Sequence, residues 1–298
     1  MSAHSWIAVD WGTTHLRAFA MDGRSVVAQF SSDRGMGTLS ASEFENALLD
    51  VIGPWLDRPT PVLACGMVGS RQGWVEARYL PVPCKPLSES FTEAPTKDTR
   101  LRVWIVPGLS QASPPDVMRG EETQIAGFLS LNPGWDGVIC LPGSHTKWAH
   151  ISAGEVISFQ TVMTGEMLAA LSGSTVLRHS MAPTGWDEKV FLDTLDQTRS
   201  RPETLATQLF RTRATDLLHG LDPVAARSRI IGALIGAELA ATRPYWLGQP
   251  IAVIGATEPS RGYLAGLRAQ GAAPIEADGD AMTRAGLSVA HSKLMETA

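Results

Sequence analysis

Residues 6–21 read Trp6-Ile7-Ala8-Val9-Asp10-Trp11-Gly12-Thr13-Thr14-His15-Leu16-Arg17-Ala18-Phe19-Ala20-Met21. A short apolar run, Ile7 to Val9, ends on a carboxylate, Asp10. A turn of Gly12, Thr13 and Thr14 follows, and a second apolar run from Leu16 to Met21 carries Arg17. Two strand-like runs flanking a small, hydroxyl-rich turn predict a β-hairpin. Its tip offers backbone N–H groups, two hydroxyls and a carboxylate. Such a tip can hold a phosphate on amides and hydroxyls while the carboxylate holds magnesium, directly or through water. An ordinary turn made by Gly and Thr is the alternative, since short motif matches carry false positives. Asp10 shifts the balance, because a carboxylate ending an apolar strand is costly unless it is paired or binds a cation.

Downstream, Asp22-Gly23-Arg24 signals a tight turn and Ser25 to Phe30 a third strand. Ser42 with Glu45 predicts a capping box. It opens a helix whose buried face is Phe44, Ala47, Leu48, Val51, Ile52, Trp55 and Leu56. Pro59 and Pro61 stop that helix, and Val62 to Cys65 reads as a buried strand. The order is β-β-β-α-β, with a hairpin as its first connection. A Rossmann or P-loop unit instead leads from a strand through a glycine-rich turn into a helix, and neither of those glycine fingerprints occurs. Gly66 to Glu76 holds three glycines among polar and aromatic groups, which describes a loop whose backbone approaches something closely. Within it Arg71, near Trp74, can bind a carboxylate while the tryptophan stacks on a sugar face. A core-plugging Trp74 and a solvated Arg71 fit the residues equally well. Residues 81–100 are polar and proline-rich and read as irregular, and Val103 to Val106 as a strand. A helix begins near Gly120 with Glu121 and Glu122 in its first turn. They complement the helix dipole, or one of them is a base.

Asn132 to Gly137 is a strong breaker and the expected domain boundary, giving domains 1–132 and 133–298. Beyond it the opening order returns about 130 residues later. Strands are read at Val138–Leu141, Lys147–Ile151 and Glu155–Phe159, then a helix at Gly165–Leu171. The first of these hairpins again has a Gly-plus-hydroxyl tip, Gly143, Ser144 and Thr146. Lys147, one of five lysines, follows that tip and can meet a transferring phosphate or sit solvated on its strand. Ser144 beside His145 lacks the strand–GxSxG–helix elbow of a hydrolase. Residues 180–222 are polar and helical, with His179 and His219 structural or exposed. Asp222 caps a helix with Pro223 at its first position. Ile230, Ile231, Leu234, Ile235 and Leu239 form its apolar face, and Gly232 and Gly236 permit close approach of another helix. Glu238 sits at its margin or lines a cleft. Ile251 to Ile254 is a buried strand whose end, Gly255-Ala256, is a ligand position common in α/β proteins. A helix with Tyr263, Leu264 and Leu267, a strand at Ile275–Ala277 and a helix from Asp280 to His291 close the chain.

The 298 residues carry a net charge of −5, which gives no electrostatic reason to expect nucleic acid or an acidic membrane as partner. Three cysteines without CxxC spacing do not suggest a disulfide framework. No basic-then-apolar leader is read at the start, nor any run approaching the roughly 20 apolar residues of a membrane helix. A cytoplasmic enzyme is expected, with its oligomeric state open.

A twice-repeated β-β-β-α unit with phosphate hairpins resembles the actin, hexokinase and Hsp70 superfamily. More narrowly, VDWGTTHLR, CGMVGSRQGWVEARY, VMRGEETQIAGFL and LPGSHTKW look like the 2-dehydro-3-deoxygalactonokinase family, and TGEM (164–167) and LIGAE (234–238) agree. The resemblance implies two duplicated ribonuclease H-like (actin-like ATPase) α/β domains with an interdomain cleft, the last helix packing back on the first domain. It implies ATP and Mg²⁺, and γ-phosphoryl transfer to the 6-hydroxyl of 2-dehydro-3-deoxy-D-galactonate. Asp10 would orient the metal, and Gly12, Thr13, Thr14, Gly143, Ser144 and Thr146 would hold phosphates. Gly255 and Ala256 would flank adenosine. Arg17 and Lys147 would stabilise the moving charge, and Ser70, Arg71 and Trp74 would face the sugar acid. Glu122, which matches the base of the superfamily's exopolyphosphatases better than Glu121, would accept the hydroxyl proton. Leu141-Pro142 replaces the aspartate that many members carry at the second tip. A kinase for another sugar acid, a phosphohydrolase, and a nucleotide-dependent chaperone or filament module are the competing readings.

Overall fold

In the computed structural model, which describes residues 4–297, β1 (Trp6–Trp11) is the axis of the first sheet. It pairs antiparallel with β2 (Leu16–Asp22), which pairs with β3 (Ser25–Ser32). Helix α1 (Phe44–Ile52) leads to β4 (Thr60–Cys65), parallel to β1. Short strands β5 (Tyr79–Pro81) and β6 (Thr92–Glu93) precede β7 (Leu101–Ile105), which runs parallel to β4. The sheet order is β3-β2-β1-β4-β7-β6. Strands β8 (Gly108–Ala112) and β9 (Pro115–Met118) join β5 in a separate three-stranded sheet, which the sequence pattern does not predict. Helix α2 spans Glu121–Leu131.

Side chains alternate along β1, and both of its faces are covered. Ile7, Val9 and Trp11 pack in one core with Phe44, Leu48 and Val51 of α1. Trp6 and Ala8 pack in another, with Ala126 of α2 and Leu287, Ala290 and Leu294 of the C-terminal helix. A strand buried on both faces reads as a continuous apolar run. A period of two therefore puts Asp10 on the same face as Trp6 and Ala8, toward the second core. Truncating a residue such as Leu48, which has no exposed surface, costs about 2–5 kcal/mol.

The second sheet has the order β12-β11-β10-β13-β14. Its strands are β10 (Gly137–Leu141), β11 (Thr146–Ser152), β12 (Glu155–Val162), β13 (Ile251–Gly255) and β14 (Ile275–Asp278). Helices α3 (Thr164–Ser174), α4 (Glu188–Ser200), α5 (Leu205–His219), α6 (Pro223–Ala241), α7 (Arg243–Trp246) and α8 (Thr257–Ala269) accompany it. Helix α9 (Gly279–Thr297) closes the chain. Val138, Cys140, Ile251 and Val253 pack with Phe191, Leu195, Ile235, Leu239 and Tyr263. Gly232 and Gly236 of α6 face the α4 backbone so closely that an added Cβ would lie 2.4 Å from the Phe191 carbonyl or 2.5 Å from that of Leu195. Asp222 caps α6 through the amides of Val224 and Ala225.

By its internal contacts the chain forms two units. One comprises the residues up to Trp135, Ile151–Ser158 and those from Gly279 on; the other is Asp136–His150 with Phe159–Asp278. Two local expectations fail. There is no Ser42–Glu45 capping box: Glu45 accepts from the Lys97 and Asp98 amides, while Glu43 reaches back to the Ser40 amide and hydroxyl. Glu238, in the last turn of α6, neither sits on an exposed margin nor lines a cleft, because it is buried and hydrogen-bonded to Trp148 and Tyr263. Among the described residues no helix is long and apolar enough to cross a membrane.

Candidate active site

In the first unit, Asp10 and Cys65 are register partners on the parallel strands β1 and β4, and Arg17 faces Asp10 from β2. Arg17 donates to the Asp10 carboxylate at 2.5 Å and to Asp280 at the start of α9. Burial raises the Asp10 carboxyl above the ordinary carboxylate range, and Arg17 opposes that shift. The turn after Asp10 is closed by the Gly12 amide on the His15 carbonyl (2.9 Å). The next segment braces it from behind. Met36 N donates to Gly12 O and Gly37 N to Thr13 O, and a Cβ on Gly35 would lie 2.2 Å from the Thr14 carbonyl carbon. Thr13 and Thr14 are left exposed.

The start of α2 completes this cluster. Gly120 holds φ at +106° and Gly66 at +91°, a backbone region open mainly to glycine. A Cβ on Gly120 would lie 3.3 Å from Gly66 Cα, and one on Gly66 would lie 3.6 Å from Asp10 Oδ1. The N-terminus of α2 is thereby brought against the end of β4 and the Asp10 carboxylate. Glu122 has no exposed surface; it accepts from the Gly120 amide at 2.7 Å and the Thr123 hydroxyl at 3.0 Å. Burial, then the neighbouring charge of Glu121, pushes its carboxyl up to about 8. Glu121 accepts from the Arg119 amide instead. Burial, then Asp10 and Glu122, pushes the Cys65 thiol well up, so it stays protonated and inert.

In the second unit, Gly143, Ser144 and His145 form an exposed tip between β10 and β11. The start of α3 braces it: the Glu166 amide donates to the Ser144 carbonyl at 2.9 Å, and a Cβ on Gly165 would lie 2.2 Å from the Gly143 carbonyl. His145 also pairs with the Glu166 carboxylate. Gly255 ends β13 where an added Cβ would meet Ser260 Oγ at 2.7 Å and Pro142 at 3.6 Å. Beside the tip lies a cavity of about 340 Å³, lined among others by Gly143, Ser144, Trp186, Ile231, Glu258 and Tyr263. Cavities of this size, mostly apolar with a few polar groups, suit small ligands.

Several predicted site residues fall elsewhere. Trp74 is 8 % exposed and packs between Trp11 and Phe44, so it plugs the core and offers no face to a sugar. Thr146 is fully buried, its hydroxyl 2.7 Å from that of Tyr263, and it presents nothing to a phosphate. Lys147 is likewise buried, at 5 % exposure, rather than reaching from the strand surface. Arg71 is exposed and pairs loosely with Glu76 at 3.5 Å, whereas Ser70 is buried. Asp280 and the bracing glycines Gly35 and Gly165 were not found from sequence. Asp280 follows a short, mostly exposed strand, Ile275–Asp278, so no local signal of the Asp10 kind marks it.

A family model described as 2-keto-3-deoxy-galactonokinase matches residues 10–290. The chain belongs to this family. It is 35 % identical over 301 residues to the probable 2-dehydro-3-deoxygalactonokinase DgoK1 of Rhizobium meliloti (strain 1021), covering 97 % of each chain. It is 33 % identical to the 2-dehydro-3-deoxygalactonokinase of Escherichia coli (strain K12), covering 96 % of this chain and 98 % of that one. A crystal structure of a candidate 2-dehydro-3-deoxygalactonokinase from Sinorhizobium meliloti superposes with a TM-score of 0.88 at 33 % identity, over 96 % of this chain and 97 % of that one. As a family member the chain is a sugar-acid kinase of carbohydrate metabolism, in D-galactonate catabolism. The likeness of fold extends to (R)-2-hydroxyglutaryl-CoA dehydratase component A of Acidaminococcus fermentans, with a TM-score of 0.52 at 13 % identity, covering 98 % of this chain and 100 % of that one. The fold is a mixed α/β one.

Proposed function

We propose that this kinase transfers the γ-phosphoryl group of ATP to the 6-hydroxyl of 2-dehydro-3-deoxy-D-galactonate. The observation that carries the reading is one cluster, in which Asp10 stands across two glycines from a carboxyl, Glu122, raised to about 8. Burial raises both carboxyls, but Asp10 alone has a cation, Arg17, opposing the rise, so Asp10 is assigned as the charge holder and Glu122 as the base. The shared strand order of the two sheets, meander first and parallel strands after, supports duplicated ribonuclease H-like domains.

Among the described residues no three His, Cys, Asp or Glu side chains form a metal cage. Magnesium needs none, because one or two carboxylates, phosphates and water commonly suffice. Asp10 and Asp280, both on Arg17, are hard oxygen donors of that kind. When bound, the ion would neutralise charge on the phosphate oxygens. In the first unit the amides and hydroxyls of Gly12, Thr13 and Thr14 are the phosphate-binding groups, and in the second unit those of Gly143 and Ser144 are. Adenosine takes the 340 Å³ cavity beside Gly255 and Ala256. Arg17 stabilises charge on the moving group by direct contact. Lys147 does so through its field, being buried. Ser70 and Arg71 shape the sugar-acid side, with Trp74 as their rigid backing. Glu122 accepts the hydroxyl proton once the substrate draws it off the Gly120 amide, while burial and then the charge of Glu121 hold its proton affinity high. Phosphoryl transfer is mostly positioning and electrostatics, so these residues supply what the reaction needs.

The test offers 2-keto-3-deoxy-hexonates with ATP and magnesium, and follows ADP, free phosphate and phosphorylated sugar acid separately. A phosphorylated galactonate derivative is expected, with Asp10→Asn lowering kcat/KM by about 10²–10³. Free phosphate in place of the sugar phosphate would make the chain a phosphohydrolase. No ADP release with any sugar acid ends the reading.

A further inference from the structure

Glu238 is the most deeply buried acid of the second unit, 2 % exposed in the last turn of an apolar helix. Its two oxygens are both used. Oε1 accepts from Trp148 Nε1 of β11 at 2.7 Å, and Oε2 from the Tyr263 hydroxyl of α8 at 2.7 Å. The Thr164 hydroxyl, at the start of α3, also bonds to it. Tyr263 is in turn 2.7 Å from Thr146 Oγ1, the first residue of β11 after the phosphate tip. One carboxylate of α6 thus ties together β11, α3 and α8.

Of these, α3, α6 and α8 line the 340 Å³ cavity, together with the tip that leads into β11. The tip contributes Gly143 and Ser144, α3 contributes Thr164, α6 contributes Leu234 and Ile235, and α8 contributes Tyr263. Leu234 and Ile235 lie four and three residues before Glu238, so they share its side of α6. The phosphoryl-transfer chemistry makes no use of Glu238. A buried carboxylate is costly unless fully hydrogen-bonded, and an apolar residue there would pack α6 without that cost. Fully satisfied polar networks rigidify the elements they join.

We propose that Glu238 is a positioning residue for nucleotide binding, whose carboxylate locks the phosphate tip, α3 and α8 around the cavity. The inference rests on the assignment of that cavity to ATP. Removing the lock lets the tip and α8 drift apart, which weakens the hold on nucleotide and leaves the first unit's chemistry alone.

The experiment compares wild type, Glu238→Gln and Tyr263→Phe in the full chain. It uses ATP titration by calorimetry, steady-state kinetics in both substrates, and circular dichroism with thermal melts. Glutamine keeps the size but turns an N–H₂ toward at least one of the three donors, so KM and Kd for ATP are expected to rise about tenfold. KM for the sugar acid should stay within about twofold and kcat within about threefold. Tyr263→Phe, which removes one hydroxyl, should move the same constants in the same direction by less, and the double variant should add little to Glu238→Gln. A lower Tm or active fraction with unchanged KM and Kd for ATP would overturn the proposal in favour of a purely structural role. If Glu238→Gln does not fold, Tyr263→Phe alone decides: unchanged ATP affinity overturns the proposal, weakened affinity supports it. Failure of wild type to bind ATP defeats the cavity assignment instead, and is seen before any variant is made.

Discussion

Gly35 in the first unit and Gly165 in the second play matching parts, since each lets a following segment press, without a Cβ, against the backbone of a Gly-plus-hydroxyl tip. Around these matched tips the surroundings differ. The first has charge behind it, with Asp10, Arg17 and Asp280 in one chain of contacts and Glu122 nearby. The second has shape beside it, an apolar-walled cavity and a carboxylate, Glu238, spent entirely on internal hydrogen bonds. Under the proposed function, one structural plan carries reaction chemistry in one unit and recognition in the other. The absence of an aspartate at Leu141-Pro142 follows the same division.

Removing the base challenges that division most strongly. Glu122→Gln is expected to lower kcat by about 10³ or more, leaving KM for ATP nearly unchanged, as measured by ADP release. A variant keeping full kcat removes Glu122 from the chemistry. The same variant has a stability signature. The folded-state proton affinity of Glu122 is raised above its ordinary value of 4.5, to about 8. Its contribution to stability is then fully present below about pH 4.5 and is lost as pH rises through about 8. Glu122→Gln, which cannot ionise, should gain Tm relative to wild type progressively between about pH 5 and 9.

The bracing glycines probe the two tips directly. Gly35→Ala forces a contact at 2.2 Å with Thr14, and Gly165→Ala one at 2.2 Å with the Gly143 carbonyl. Each should lose about 1–3 kcal/mol of stability in denaturant melts. Gly35→Ala should lower kcat by about tenfold, whereas Gly165→Ala should raise KM for ATP by about the same factor. Identical kinetic signatures from the two would erase the division between chemistry and recognition.

A smaller effect is expected in the pH profile. Because the base must be ionised, kcat should rise through about pH 8, and Glu121→Gln should move that acid limb lower by removing a neighbouring negative charge. An acid limb that stays in place separates Glu121 from the titration. Smallest of all, Trp74→Phe should cost about 1–3 kcal/mol of stability through lost core packing while kcat/KM changes less than about twofold. A large change in KM for the sugar acid would return Trp74 to the substrate side.

Much of the fold was legible because its signals are local. The run Ile7–Val9 ending in Asp10, the helical spacing from Phe44 to Ile52 and the Asp222-Pro223 cap each depend on neighbours within a turn or a strand. The small sheet of β5, β8 and β9 escaped because its strands are three to five residues long and β5 joins the β8–β9 hairpin in parallel from an earlier part of the chain. The Ser42–Glu45 box failed for the opposite reason: a non-local partner, the turn at Lys97-Asp98, took the Glu45 carboxylate. For Trp74, an aromatic in a glycine-rich loop gives the same local signal whether it faces ligand or core.

The order of amino acids alone was enough for the strand–turn–strand tips, their repetition, and the placing of an acid at the end of β1. Those follow from period-two burial and turn chemistry, which act over a few residues. What each polar group faces was settled by the folded chain. Folding joined Arg17 to Asp280, 263 residues away. It sealed Glu122 so that burial raises its proton affinity, and turned Thr146 and Glu238 inward onto Tyr263. Burial and hydrogen-bond partners are set by elements distant in sequence, and a side chain's chemistry is set by them.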